Sequence, residues 1–368
     1  MLIPIDKYQV PIGRPVPWDI VDQQGRIVIA RGKPIRDQRH LDDLVAHGMF
    51  RRQHHVHLDK RPDSPLYLLA YLKTQLANAL RDIAKHDKQI DHPARIRHIV
   101  QDVCELAWQH PDPALGTLLY NAADTPYTIN HPLLGALITA MIGKRIHLQA
   151  DFLRNAVTAA LVNNVGMLAL QEQLTWQSTP LTPKQQARIN EHPLRSSKLI
   201  YAAGLVEPML ILYVMRHHER PNGQGYPEGL AGNAVPEAVQ LLGLVDMYAA
   251  MILPRGHREG MHAQAALKHV FLERGEQVNA ELGAQLIHEL GPYPVGSHVR
   301  LKSGEIAIVT QRNTADPIHP EIKSIMSVSG KPFGMPLSRD PLTDKASAIV
   351  GCVAPLETRF DSQYLFHG

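Results

Sequence analysis

Between Leu66 and Leu290 the apolar residues recur at helical spacing, and no strand pattern alternates with them. Leu68, Leu69, Leu72, Leu76 and Leu80 follow the three-four spacing of a core-facing stripe. Further helical runs lie near residues 94–109, 131–147, 151–171, 182–191, 193–203, 206–218, 235–252, 262–273 and 278–290. Thr182-Pro183-Lys184-Gln185 is a capping-box start with proline at the first helical position. A parallel sheet needs strands between its helices, so the expected fold class is mainly α.

Short β signals flank this helical body. Trp18–Asp22 and Arg26–Ala30 surround Gln23-Gln24-Gly25 at hairpin spacing. A short helix follows over Arg39–Met49, with Leu41, Leu44 and Val45 as its apolar positions. Arg61–Pro65 has the composition of a linker. Past Gly291-Pro292-Tyr293-Pro294, two runs at Ser297–Lys302 and Glu305–Gln311 surround Ser303-Gly304, and a third strand is expected at Ile322–Val328. The expected domains are an N-terminal α+β segment at 1–62, a helical domain at 66–291 and a small C-terminal β module at 292–368.

Composition narrows the class. A net charge of +3 is too small to make nucleic acid or an anionic membrane the expected partner. No uninterrupted apolar stretch reaches the roughly 18 residues of a membrane span, and the first ten residues do not read as a secretory signal. Two distant cysteines, Cys104 and Cys352, give neither a disulfide framework nor a zinc ribbon, and fit the cytoplasm. The 21 histidines are the outlying number, because imidazole is the commonest side-chain metal ligand.

Position singles out His131, His192, His217, His218 and Asp246 as candidate metal ligands. A lone histidine in a helix is more often a surface or core residue, so each is weak by itself. His217-His218-Glu219 ends a helical run before Arg220-Pro221-Asn222-Gly223-Gln224-Gly225-Tyr226-Pro227. Adjacent imidazoles there can face one pocket, and Gly223 and Gly225 permit positive φ, which lets backbone N–H groups approach an anion.

The string from His217 through Leu230 resembles the HHExxxGxGYPxGL signature of the HD-GYP family. Around it, His192-Pro193 resembles the family's His-Pro element, and Val245-Asp246-Met247-Tyr248 its Val-Ala-Asp-x-Tyr element. Tyr127-Thr128-Ile129-Asn130-His131 matches the segment holding its first histidine, and Leu181–Gln185 its Leu-Thr-x-x-Glu helix start. Gly296 through Glu305 resembles the β tail that closes many members. The resemblance covers about 175 residues. It implies an HD-type helical bundle, a bacterial signalling role and metal-dependent cyclic di-GMP phosphodiesterase chemistry.

Several positions depart from that pattern. The His-Asp pair that names the family should follow Ala159-Ala160-Leu161-Val162, where this chain has Asn163-Asn164-Val165-Gly166-Met167. Histidine, aspartate and lysine have thus given way to Asn163, Asn164 and Met167. An acidic residue that some members place one turn before the first histidine is Tyr127 here, and two further family aspartates are Asn222 and Ala249. His257-Arg258 stands where the family has Tyr-Arg.

In intact members the paired aspartate bridges two divalent metals and offsets their repulsion. Asn164 is neutral and its NH₂ donates, while a thioether at Met167 cannot replace an ammonium. A second cation would leave about four positive charges against the one carboxylate of Asp246. The expectation is at most one divalent metal (iron, manganese, zinc or nickel) and no binuclear centre. The expected protein is a degenerate HD-GYP member that does not hydrolyse cyclic di-GMP. It would act through a signalling partner such as a diguanylate cyclase domain, or as a cyclic di-GMP receptor. Gly223, Gly225, Tyr226, Pro227, Arg255 and Arg258 are its nucleotide-binding candidates. The alternative is a residual phosphodiesterase in which Glu219 orients a water. Asp246 could instead be an ion-pair partner of Arg216 or Arg258.

Overall fold

The computed structural model describes residues 2–4, 12, 16, 20–30, 33–46, 50–52, 64–87, 89–255, 259–356 and 360–366. These fall into two compact units, Met1–Arg61 and Pro62–Gly368.

In the first unit, strands β1 (Leu2–Pro4), β2 (Ile20–Val21) and β3 (Ile27–Ile29) precede helix α1 (Gln38–Ala46) and strand β4 (Phe50–Arg52). The strands form one antiparallel sheet in the order β1-β4-β2-β3. The β2–β3 hairpin is the expected one. Its turn is held by Asp22, whose Oδ1 accepts from the backbone of Gln24 and Arg26, both at 2.9 Å. Val16, Ile20, Ile29, Ile35, Leu41 and Leu44 make the core of this unit. Val45, expected on the apolar face of α1, is instead exposed, because only Leu41 and Leu44 share the inward stripe. Trp18 and Asp19 of the expected strand and His47–Met49 of the expected helix lie outside the described residues.

The second unit opens with α2 (Pro65–Ala84), α3 (His92–Gln109), α4 (Pro111–Tyr120) and α5 (Tyr127–Arg145). Then come α6 (Ala150–Val162), α7 (Leu168–Trp176), α8 (Pro183–Ala202) and α9 (Pro208–Arg216). The last long helices are α10 (Glu237–Ile252), α11 (Ala263–Leu272) and α12 (Ala280–Leu290). The leucine stripe of α2 is buried throughout, from Leu68 to Leu80. Helix α5 is buried on every side from Tyr127 to Gly143, so it forms the axis of the bundle.

The helices differ from the sequence pattern in four places. Helix α4 lies between the expected runs at 94–109 and 131–147 and holds prolines 111 and 113. Both sit in its first turn, where the missing N–H costs nothing. Helix α5 starts four residues earlier than the expected run, at Tyr127. The run at 151–171 is split after Val162, where a 3₁₀ turn over Val165–Met167 separates α6 from α7. Helix α8 is continuous through Pro193, which the sequence placed at a boundary. Its start has the expected capping box between Thr182 and Gln185.

Beyond α12, strands β5 (His298–Leu301), β6 (Ile306–Gln311), β7 (Glu321–Met326), β8 (Pro332–Arg339) and β9 (Ile349–Cys352) form an antiparallel sheet ordered β8-β7-β6-β5-β9. A short helix, α13 (Ser362–Phe366), follows. Strands β8 and β9 were not read from the sequence, because half-exposed edge strands carry little apolar alternation. Arg312, just past β6, ties this sheet to the bundle. Its Nε donates to Asp112 of α4, and its Nη1 donates to the Glu289 carbonyl at 2.9 Å and the Glu289 carboxylate at 2.6 Å on α12. Replacing Arg312 with alanine takes the cation from the mostly buried Asp112 carboxylate and leaves Glu289 with Arg145 alone at 3.4 Å, and should cost about 3 kcal/mol. Urea denaturation of Arg312→Ala beside the parent chain reads that loss directly.

Candidate metal and nucleotide pocket

Two backbone carbonyls set the centre of the site. Pro193 has no N–H, so the Ile189 carbonyl of α8 lacks its helical partner. His192 fills that gap: its Nδ1 lies 2.5 Å from Ile189 O. At the end of α9 the Val214 carbonyl is one of the last four without a helical donor, and His217 Nδ1 lies 2.7 Å from it. A carbonyl only accepts, so each Nδ1 carries the proton and each Nε2 offers a lone pair. The two Nε2 atoms face each other at 3.1 Å. Two lone pairs at that distance repel unless a cation lies against both.

His218 completes the group. Ligand atoms of His192, His217 and His218 all lie within 4.8 Å of one another. Burial, with repulsion from neighbouring imidazoles, lowers the pKa of His192 and His217 to about 4 and that of His218 to about 3. All three are therefore neutral near pH 7, the form that binds a metal. Neutral imidazoles anchored through Nδ1 to carbonyls are the usual second-shell arrangement of histidine ligands. These residues could hold a metal ion.

His131 and Asp246 stand together beside this trio. His131 Nε2 and Asp246 Oδ1 are 2.8 Å apart. Burial opposes the Asp246 carboxylate, but the charge and hydrogen bond of His131 outweigh it and hold the carboxyl well below its usual range. Asp246 does not pair with Arg216, which instead reaches Glu228 at 2.8 Å. Arg258 and His257 lie outside the described residues.

Asn163 and Asn164 sit at the break after α6, both buried. Neither Oδ1 atom has a hydrogen-bond partner among the described residues. Asn163 shares a narrow cavity with His131 and Asp246. Met167 is half-buried at the end of the same turn. Gly166 lets this turn press on α8: a Cβ there would lie 2.6 Å from Ser196 N, and Gly166 N donates to Ser196 Oγ at 2.9 Å.

The loop after His218 is braced from below by Glu219. Its carboxylate is buried and accepts from the backbone N–H groups of Glu228 at 2.6 Å and Leu230 at 2.8 Å. Each oxygen takes one backbone donor, so Glu219 holds the loop. A buried acid four residues before a glycine-rich turn was the available signal for that role. Gly223 has φ +77°, as expected, but Gly225 does not adopt positive φ. Gly225 is required for close approach, since a Cβ would lie 2.4 Å from Arg220 N and 2.6 Å from His218 O. Tyr226 stacks on His218 with ring centroids 4.7 Å apart, and burial raises its hydroxyl pKa. Pro227, joined to it by a cis peptide bond, is exposed at the rim. Arg255 reaches the other side of the pocket, where its Nη2 donates to the Tyr127 hydroxyl at 3.0 Å.

Residues 121–282 match the HD domain family. A cyclic di-GMP phosphodiesterase of Pseudomonas aeruginosa is 24% identical over 264 residues, which is 72% of this chain and 63% of that protein. The cyclic di-GMP phosphodiesterase response regulator RpfG of Xanthomonas campestris is 25% identical over 139 residues, 38% of this chain and 37% of that protein. The matched region is thus less than two thirds of either relative's length. Among solved structures, an HDG"Y"P protein from Bdellovibrio bacteriovorus has the same fold, with a TM-score of 0.50 at 12% identity over 78% of this chain and 98% of that one. Residues 121–282 are thus similar to HD domains, and the fold is that of an HDG"Y"P protein. No helix among the described residues is long and apolar enough to cross a membrane.

Glu219→Gln should loosen the loop, because the amide NH₂ opposes one of the two backbone donors it replaces an acceptor for. The expected cost is about 2 kcal/mol. Hydrogen exchange should quicken at the Glu228 and Leu230 amides while the amides of α5 keep their protection.

Proposed function

We propose that this chain is a cyclic di-GMP signalling protein whose HD-GYP pocket binds without hydrolysing. The carrying observation is the buried Asn163-Asn164 pair, standing where the family's bridging His-Asp pair would be. Two divalent ions about 4 Å apart repel strongly without an anionic bridge. An amide supplies no charge for that purpose.

His192, His217 and His218 would hold one divalent ion, and imidazole donors suit zinc, iron, nickel or manganese to differing degrees. Such an ion supplies a Lewis-acidic point for a phosphate oxygen. The chain's own residues do the rest. Tyr226 offers an aromatic face at the rim, and the braced Gly223–Gly225 turn keeps the entrance open to a nucleotide. Arg255 and Arg258 carry the positive charge that a cyclic dinucleotide's phosphates require. The output passes to a signalling partner, for which a diguanylate cyclase domain is the fitting class. The relatives named as cyclic di-GMP phosphodiesterases support the ligand.

A residual phosphodiesterase is the second reading, favoured by the intact trio of histidines. The two separate in one assay. Anaerobically purified protein with added iron(II) or manganese(II) is expected to leave cyclic di-GMP uncut by chromatography, while calorimetry records binding. Tyr226→Ala should weaken that binding about tenfold, roughly 1.4 kcal/mol. Linear dinucleotide or GMP that appears with the parent and disappears with His217→Ala establishes the phosphodiesterase instead. Absence of any binding heat at high micromolar ligand overturns the receptor role.

A further inference from the structure

A continuous hydrogen-bonded chain runs from Arg255 to Asp246 beside the three histidines. Arg255 Nη2 is 3.0 Å from the Tyr127 hydroxyl, and the guanidinium lies over the Tyr127 ring at 4.8 Å. The Tyr127 hydroxyl is 3.1 Å from His131 Nδ1, and His131 Nε2 is 2.8 Å from Asp246 Oδ1. Tyr127 and His131 are four residues apart on α5, so they share a face, and their rings stack at 5.0 Å.

An ionised carboxylate only accepts, so the Asp246 end of this chain fixes a proton on His131 Nε2. Arginine only donates, so the tyrosine oxygen accepts from it. In the arrangement proposed below, the tyrosine proton points to His131 Nδ1, 3.1 Å away. That leaves the His131 proton on Nε2, where it is donated to the carboxylate. Neither ring nitrogen of His131 has a lone pair left for a cation, and Asp246 Oδ1 is occupied as well. A cation entering here must break the His131–Asp246 bond, force a tautomer change and approach an arginine.

We propose that Arg255, Tyr127, His131 and Asp246 form a latch that confines the pocket to one cation, held by His192, His217 and His218. Tyr127 is the positioning residue, acting on His131. The latch deepens the one-ion reading given above and rests on it. It also makes a claim that the Asn163-Asn164 pair alone does not: restoring histidine and aspartate there will not restore a second ion.

Chelator-stripped protein is loaded with cobalt(II), and bound ions are counted by native mass spectrometry alongside the visible absorption of the metal. The parent should take one ion. Asn163→His with Asn164→Asp should still take one, and adding Tyr127→Glu should raise the count to two. Nitrogen-15 NMR of His131 in the metal-free parent should show a protonated Nε2 and an accepting Nδ1. That pattern should change in Tyr127→Phe, which removes only the hydroxyl. Two ions in the Asn163→His, Asn164→Asp variant overturn the latch and leave the parent's function untouched. A protonated His131 Nδ1 overturns it independently of any metal. Cyclic di-GMP turnover by a parent that holds one ion overturns the non-hydrolytic reading and leaves the latch standing.

Discussion

Two carbonyl oxygens without helical partners fix the whole pocket. Ile189 loses its donor to Pro193, and Val214 lies where α9 runs out. Each captures a histidine Nδ1 and so sets both the ring plane and the tautomer. The rings would otherwise rotate about χ2, and their Nε2 atoms would not converge. A proline inside a helix normally weakens it. Here the vacated acceptor is used by the adjacent residue, so the local defect and the orientation of the ligand have one cause.

Around that centre the bundle supplies burial more than contacts. Helix α5 runs through the core with apolar neighbours on all sides. Desolvation keeps the trio neutral, and against it the hydrogen bond from His131 keeps Asp246 ionised. The GYP loop depends on a different device. Glu219 anchors two amides from below, while Gly225 brings the chain against the Arg220 and His218 backbone. The loop is thus rigid at its base and open at Tyr226 and Pro227.

The helical core was legible because its stripes are long: Leu68 through Leu80 in α2 are inward without exception. The trio was legible through motif spacing, since His192-Pro193 and His217-His218 are local patterns. Other features could not be read because they depend on which atom faces which. Glu219 and a water-orienting acid have the same letter. Asp246 has arginines near it in sequence, yet its partner is 115 residues away on α5. Gly225 looked like a positive-φ glycine, and only packing distinguishes conformational freedom from lack of room. Strands β8 and β9 were missed for a similar reason: pairing with neighbours, more than their own alternation, makes them strands.

The hydrogen-bonded chain through Tyr127 bears on how such a protein can evolve. Codons for asparagine differ by a single base from those for histidine and from those for aspartate. The lost pair at Asn163 and Asn164 is therefore within easy mutational reach of its ancestral-looking form. Tyrosine has no single-base route to glutamate. In the proposed latch, reversion at the asparagines alone brings no second ion for selection to act on. On that reading the tyrosine works as a ratchet that keeps the asparagines from reverting.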